Sequence, residues 1–211
     1  LLAVPTLCSV LGDPGFWMQE PDTGLTWQQL VHGEESVRWV RPLPAQGELI
    51  AEHRVCRVED RGIERGAMFV VERTLTDATS GEVFCRARTT VIARADGGFS
   101  PAADPVKTWG EAAEQPLSPL PARTADHCFE RVVLTHQSLL YRQLADPNPL
   151  HADPEAAQLA GFPRPILHGM CSFWILGLMI ATRFCGLQPA RLHARRARFS
   201  ARVFPGETLW C

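Results

Sequence analysis

The chain has 211 residues, 45 % apolar and 21 % charged, an ordinary balance that excludes a disordered, collagen-like or coiled-coil protein. Its formal net charge of −2 supplies no global field toward nucleic acid or an anionic membrane, because acidic residues offset the 20 arginines and the single Lys107. Seven cysteines, an odd number with no CxxC pair, argue against a disulfide framework or a zinc ribbon and point to a reducing cytoplasm. The start, Leu1-Leu2-Ala3-Val4-Pro5, lacks a basic flank and a long apolar run, so no signal peptide is expected.

The first half, residues 1–95, alternates like a sheet. Leu25–Val31 reads as a weak helical segment, and Ser36–Val40 as an edge strand that stops before Pro42. Leu49–Val58, Ala67–Leu75 and Glu82–Ala93 read as strands, the last two rich in β-branched and aromatic residues. Thr76–Gly81 supplies turn chemistry and makes that pair a hairpin. Residues 96–126 open with Gly97-Gly98 and carry Pro101, Pro105, Pro116, Pro119 and Pro121, the signature of a linker or a surface arm.

The second half, residues 127–211, alternates elements. Cys128–Thr135 is strand-like and His136–Leu144 a short helix. Asp153-Pro154-Glu155 gives a cap, a first-turn proline and an acidic first turn for a helix over Pro154–Ala160, stopped by Gly161. Met170–Cys185 is apolar all round up to Arg183. At about 16 residues it is short of the ~20 that cross a bilayer, so it reads as a core helix. Arg195–Val203 returns to strand period, with Ala197, Phe199, Ala201 and Val203 on one face and Arg196, Arg198, Ser200 and Arg202 on the other. A long apolar helix wrapped by curved antiparallel sheet is an α+β solution.

Two stretches carry chemistry. In YRQLADPNPLHADPEAA, Tyr141–Ala157, the residues Asp146, Asn148 and His151 lie on one proline-stiffened loop. A carboxylate and an imidazole held there can share one water, take its proton and return one elsewhere. A capped turn explains the same residues equally well. In PRPILHGM, Pro163–Met170, Gly169 opens the apolar helix, where free N–H groups and the helix dipole suit an oxyanion and the missing Cβ lets it approach. The alternative is that Gly169 only eases the turn. His168 reads as a structural histidine, and His53, His127, His136 and His193 have no metal-ligand spacing.

Together the two stretches resemble the type 2 enoyl-CoA hydratases of the MaoC-like dehydratase superfamily. LVHGEESV (Leu30–Val37), RPLPAQGEL (Arg41–Leu49), VEDRG (Val58–Gly62), DGGF (Asp96–Phe99) and ARFSARVFPGETL (Ala197–Leu209) extend the likeness along the chain. The resemblance implies a double hot-dog, with an incomplete first half that takes the acyl chain and a second half that carries the catalytic loop. It implies Asp146 and His151 as the catalytic pair, Asn148 in support and Gly169 as oxyanion donor. His32, Gly33, Arg61, Pro147, Pro149, Leu150 and Phe199 match positions that contact acyl-CoA. The implied reaction adds water to a trans-2-enoyl-CoA to give the (3R)-3-hydroxyacyl-CoA. It needs no cofactor besides the coenzyme A of its substrate, and no metal. The division of acid and base work between Asp146 and His151 stays open. A homodimer is expected, with no nucleic-acid or membrane partner.

Departures from the pattern carry expectations of their own. Leu144-Ala145 stands where the family has Ser-Gly, so a Cβ at Ala145 is expected to tilt the loop. Trp174 replaces a small residue and either closes the acyl tunnel or packs in the core. The Arg196, Arg198 and Arg202 face, with Arg61, either grips the CoA phosphates or is solvated. The resemblance also implies an acidic residue before Leu1 and further sheet strands after Cys211.

Overall fold

The computed structural model describes residues 3–104, 106–144 and 146–211. Its main sheet is antiparallel and built from β1 (Leu30–Trp39), β2 (Leu49–Asp60), β3 (Ala67–Asp77), β4 (Val83–Ala93), β5 (Thr108–Gly110) and β7 (Ala194–Arg198), in the order β5-β2-β3-β4-β1-β7. A second sheet pairs β6 (Glu130–Val132) with β8 (Thr208–Trp210). The helices are α1 (Gln137–Tyr141), α2 (Pro154–Leu159) and α3 (Gly169–Cys185).

The β3–β4 hairpin forms as its turn residues predict. Asp77 accepts the N–H groups of Thr79 and Ser80, which hold its carboxyl below the usual range, and Gly81 supplies a φ of +73°. Three expectations fail, each for a local reason. Leu25–Val31 is no helix: a single 3₁₀ turn at Trp27–Gln29 leads straight into β1. β1 begins at Leu30 and lies inside the sheet between β4 and β7, so the expected edge strand at Ser36–Val40 is an interior one. A bulge between His32 and Glu34 hid its start, because an extra residue breaks the period of two. The strand expected over Arg195–Val203 stops at Arg198. Its first residues pair with β1, so a segment of the second half completes the sheet of the first.

α3 starts and stops as expected, with Gly186 in the left-handed region as its terminator. It is not buried all round. Cys171, Phe173, Gly177, Ala181 and Cys185 form a buried stripe, while Leu178 and Phe184 are 49 % and 46 % exposed. The sheet strands and the Pro5–Ser9 turn cover one side of the helix, and β6 and β8 are too short to wrap the other. Phe173 joins Cys8, Val37, Trp39, Leu75, Phe84 and Cys85 in the largest core cluster.

One buried carboxylate fastens the linker to the sheet. Asp60, at the end of β2, accepts the N–H groups of Gly62, Gly98 and Ser100. Burial pushes its pKa up, but these donors outweigh it and hold the carboxyl far below the usual range. The charged form therefore stabilises the fold above the unfolded value near ~3.9, and that contribution is lost as pH falls through it toward the folded value. Asp60→Asn should lower the urea midpoint at neutral pH, and its gap to wild type should narrow below about pH 4. A gap independent of pH would contradict this role.

Candidate active site

The loop after α1 is held by its own side chains. Asp146 Oδ1 accepts the Asn148 N–H at 3.0 Å, and Asn148 Oδ1 accepts the Leu150 N–H at 3.0 Å. These bonds launch the 3₁₀ turn Pro149–His151, which delivers His151 to the floor of a cavity of about 610 Å³. The capped turn and the shared site are thus the same object, since capping is what aims His151.

The His151 ring is a neutral base with a defined free edge. Burial pushes its pKa below the ordinary imidazole value, and the Asp146 charge partly opposes that. Its Nδ1–H donates to the Ile166 carbonyl at 2.8 Å, which leaves the Nε2 lone pair free. His168 stacks on it with ring centroids 3.8 Å apart. Burial pushes His168 down to about 2, and a proton on either stacked ring would disfavour one on the other, so it too is neutral. Its Nε2–H donates to the Asp146 backbone carbonyl at 3.2 Å. His168, read from sequence as structural, therefore braces both members of the pair and immediately precedes Gly169.

Gly169 opens α3 on the cavity wall, and a Cβ there would lie 3.3 Å from the Phe199 ring. The absent side chain lets that ring seat against the helix start. Phe199 meets the edge of His32 at 4.8 Å, and its N–H donates to the Gly33 carbonyl at 2.8 Å. The bulge at Gly33 turns both His32 and Glu35 inward, opposite Val91 and Thr89. Glu35 is 1 % exposed, 3.2 Å from His32 Nε2, and accepts the Thr89 hydroxyl at 2.7 Å. Sequence reasoning missed Glu35, and the only signal for it was its place directly after the His32-Gly33-Glu34 string.

Of the residues expected from sequence, Asp146, Pro147, Asn148, Leu150, His151, Gly169, His32 and Phe199 all line this cavity. Gly33, Pro149 and Arg61 do not. Gly33 supports Phe199 through its backbone, Pro149 starts the 3₁₀ turn, and Arg61 lies 3.8 Å from Glu59. Trp174 is also absent from the lining. Its ring packs between two core clusters and edge-on to Tyr141 at 5.7 Å, so the core alternative holds rather than the tunnel gate. Ala145 lies outside the described residues. Arg198 and Arg202 line the cavity, whereas Arg196 is engaged by Glu34.

Among the described residues, Asp146, His151 and His168 bring three potential metal-ligand atoms within 4.8 Å of one another. The two rings stack face to face, so their lone pairs run side by side rather than converge. The set fits acid–base work better than it fits an ion.

Residues 3–95 match the MFE-2 hydratase 2 N-terminal domain family and residues 114–211 the MaoC like domain family. The chain belongs to the MaoC-like dehydratases. This MaoC-like chain is 37 % identical over 85 % of its length to 3-hydroxyacyl-thioester dehydratase Y of Mycobacterium tuberculosis, spanning 60 % of that protein. It is 39 % identical over 85 % of its length to the peroxisomal enoyl-CoA hydratase 2 of Arabidopsis thaliana, spanning 58 % of it. It superposes on a MaoC-like dehydratase from Phytophthora capsici with a TM-score of 0.76 and 31 % identity, covering 87 % of this chain and 61 % of that one. The chain thus spans about three fifths of the length of these MaoC-like relatives. Its fold is the double hot-dog of the family. None of its helices, among the described residues, is long and apolar enough to cross a membrane.

Proposed function

We propose that this chain hydrates trans-2-enoyl-CoA to (3R)-3-hydroxyacyl-CoA. The observation that carries the reading is the neutral His151 with a free Nε2 edge, beside Asp146 and facing the same cavity as Gly169. Water between Asp146 and His151 attacks the β-carbon, and its proton passes to His151 Nε2. The negative charge of Asp146 stabilises the imidazolium that forms, consistent with its upward pull on the His151 pKa. Charge that develops on the thioester oxygen is met by the Gly169 N–H at the start of α3. The imidazolium then returns the proton to the α-carbon, so water is added overall and no redox step occurs.

His32, Pro147, Leu150 and Phe199 are the side chains of the proposed acyl-CoA contacts. The names of the relatives, enoyl-CoA hydratase 2 and 3-hydroxyacyl-thioester dehydratase Y, support the reaction class in its two directions. The reaction needs no metal, nicotinamide or flavin. The cytoplasmic homodimer expected from sequence remains part of the proposal, as do the segments 1–95, 96–126 and 127–211 as its working units. Crotonyl-CoA and decenoyl-CoA should lose their enoyl-thioester absorbance without release of free thiol. Thiol release would mean a thioesterase, and an unchanged spectrum would reject the reaction.

The CoA phosphates are assigned to Arg198 and Arg202, whose guanidinium forks suit phosphate and which no acidic side chain engages among the described residues. Arg198→Ala and Arg202→Ala should each raise KM several-fold with kcat nearly unchanged, the pattern of uniform binding. Arg196→Ala should perturb stability instead, because that side chain ties β7 to Glu34. Equal KM values for all three variants and wild type would remove the assignment.

A further inference from the structure

The cavity extends beyond Asp146 and His151 to a corner lined by Ser9, Asp13, His53 and Arg73. The corner is electrostatically continuous with the catalytic loop, since Asp13 feels the charges of both Asp146 and Arg73. Arg73 occupies an inward position of β3, opposite His53 on β2 and Ala87 on β4. A hydrocarbon chain asks for an apolar wall, and Leu30, Val71 and Val91 supply one from neighbouring strands of the same sheet, Val71 two residues before Arg73 on β3. Arg73 interrupts that wall.

The guanidinium is buried and under-engaged. Arg73 is 9 % exposed, its Nη2 donates to the Cys8 carbonyl at 3.0 Å, and its Nε is buried without a partner. No carboxylate reaches ion-pair distance of it among the described residues, whereas Arg54 and Arg88 share Glu72 and Glu111 on the outer face. Of the three acids on the cavity wall, Asp146 accepts the Asn148 N–H within the catalytic loop, and the other two are committed as well. Glu35 is held by His32 and Thr89, and Asp13 accepts the Gly15 N–H at 2.8 Å. Ser9 Oγ, beside the Cys8 carbonyl in sequence and also lining the cavity, is a second buried polar atom without a partner. A cation removed from water is costly unless an anion meets it. A planar guanidinium fork with a hydroxyl beside it matches the two oxygens of a carboxylate.

We propose that Arg73 and Ser9 form a recognition site for a free carboxylate on the acyl group, so that the preferred ligands are CoA thioesters of dicarboxylic acids. The site takes a singly charged carboxylate rather than the CoA phosphates, because Asp13 in the same corner opposes a dianion. This deepens the hydratase reading and rests on it only for the word substrate. The binding itself needs no turnover.

The test is therefore made with saturated thioesters, which cannot be hydrated. Decanoyl-CoA and its analogue with a terminal carboxylate are titrated calorimetrically into wild type, Arg73→Met, Arg73→Gln and Ser9→Ala. Wild type should bind the carboxylated thioester at least about ten-fold more tightly, a difference of 1.4 kcal/mol. Arg73→Met and Arg73→Gln should abolish that preference, and Ser9→Ala should reduce it. Equal affinities in wild type overturn the site, as does a preference that survives in a folded Arg73→Met or Arg73→Gln protein. If both arginine variants fail to fold, the wild-type comparison and Ser9→Ala still decide. A clear preference in a protein that hydrates neither enoyl analogue would keep the site and reject the reaction.

Discussion

Replacing His151 with alanine should cut turnover by about 10²–10⁴, the range a positioned acid–base group contributes. Asp146→Asn should cost a similar factor. The Ile166 carbonyl fixes the Nδ1–H of His151 on the cavity wall, so the free Nε2 edge of that ring has a defined protonation state. His151→Asn offers a control for folding, because its amide N–H can still donate toward Ile166 while the base is gone. Both His151 variants should be equally inactive, with melting points that differ only by the lost ring contact with His168. The pH profile separates the two roles. The neutral imidazole is the active form, so the acid limb of kcat/KM should lie below the ordinary value near ~6.5. Asp146 pulls the His151 pKa upward, so removing its charge in Asp146→Asn should move the acid limb of the residual activity lower still. An acid limb that moves upward, or a variant that keeps most of its turnover, would break the assignment.

Trp174→Ala should destabilise the fold by about 3 kcal/mol, the lower end for truncating a buried Trp, since this ring keeps some exposure. The ring bridges the cluster of Phe173, Val37 and Leu75 and the cluster of Val133, Tyr141 and Leu167, so its loss opens a void shared by both halves. Rates on crotonyl-, decenoyl- and hexadecenoyl-CoA should fall together, with a lowered melting point. A selective gain on the longest substrate, with no loss of stability, would restore the tunnel-gate role that its position after Gly169 suggested. The indole failed to reach the cavity because five helical steps turn it roughly 140° from Gly169. Phe173 and Leu176 of the same helix face the cavity instead.

What could be read from the sequence followed locality. The Asp146–His151 loop was legible because its caps, prolines and functional groups lie within six positions and dictate one another. The hairpin and both ends of α3 were legible for the same reason, through turn residues and glycines. Glu35 was not, because a bulge changes which face a side chain takes, and alternation is blind to an inserted residue. Arg73 was not, because a strand pattern cannot tell a solvated arginine from one facing a cavity. His168 looked inert because its two tasks, bracing Asp146 and stacking on His151, are contacts across the fold.

The pairing of β7 with β1 has a kinetic consequence. The contact between Arg196 and Glu34 joins positions 162 residues apart, and it stands next to Phe199, Gly33 and His32 on the cavity wall. Closing so long a loop is entropically unfavourable until the strands on both sides are in place. The cavity wall is therefore among the last parts of the chain to assemble. The Asp146–His151 loop, closed by bonds between near neighbours, can form well before it. Catalytic competence thus arrives with the final strand rather than with the catalytic residues, and a chain stalled before that step would hold its acid–base pair without a chamber to use it in.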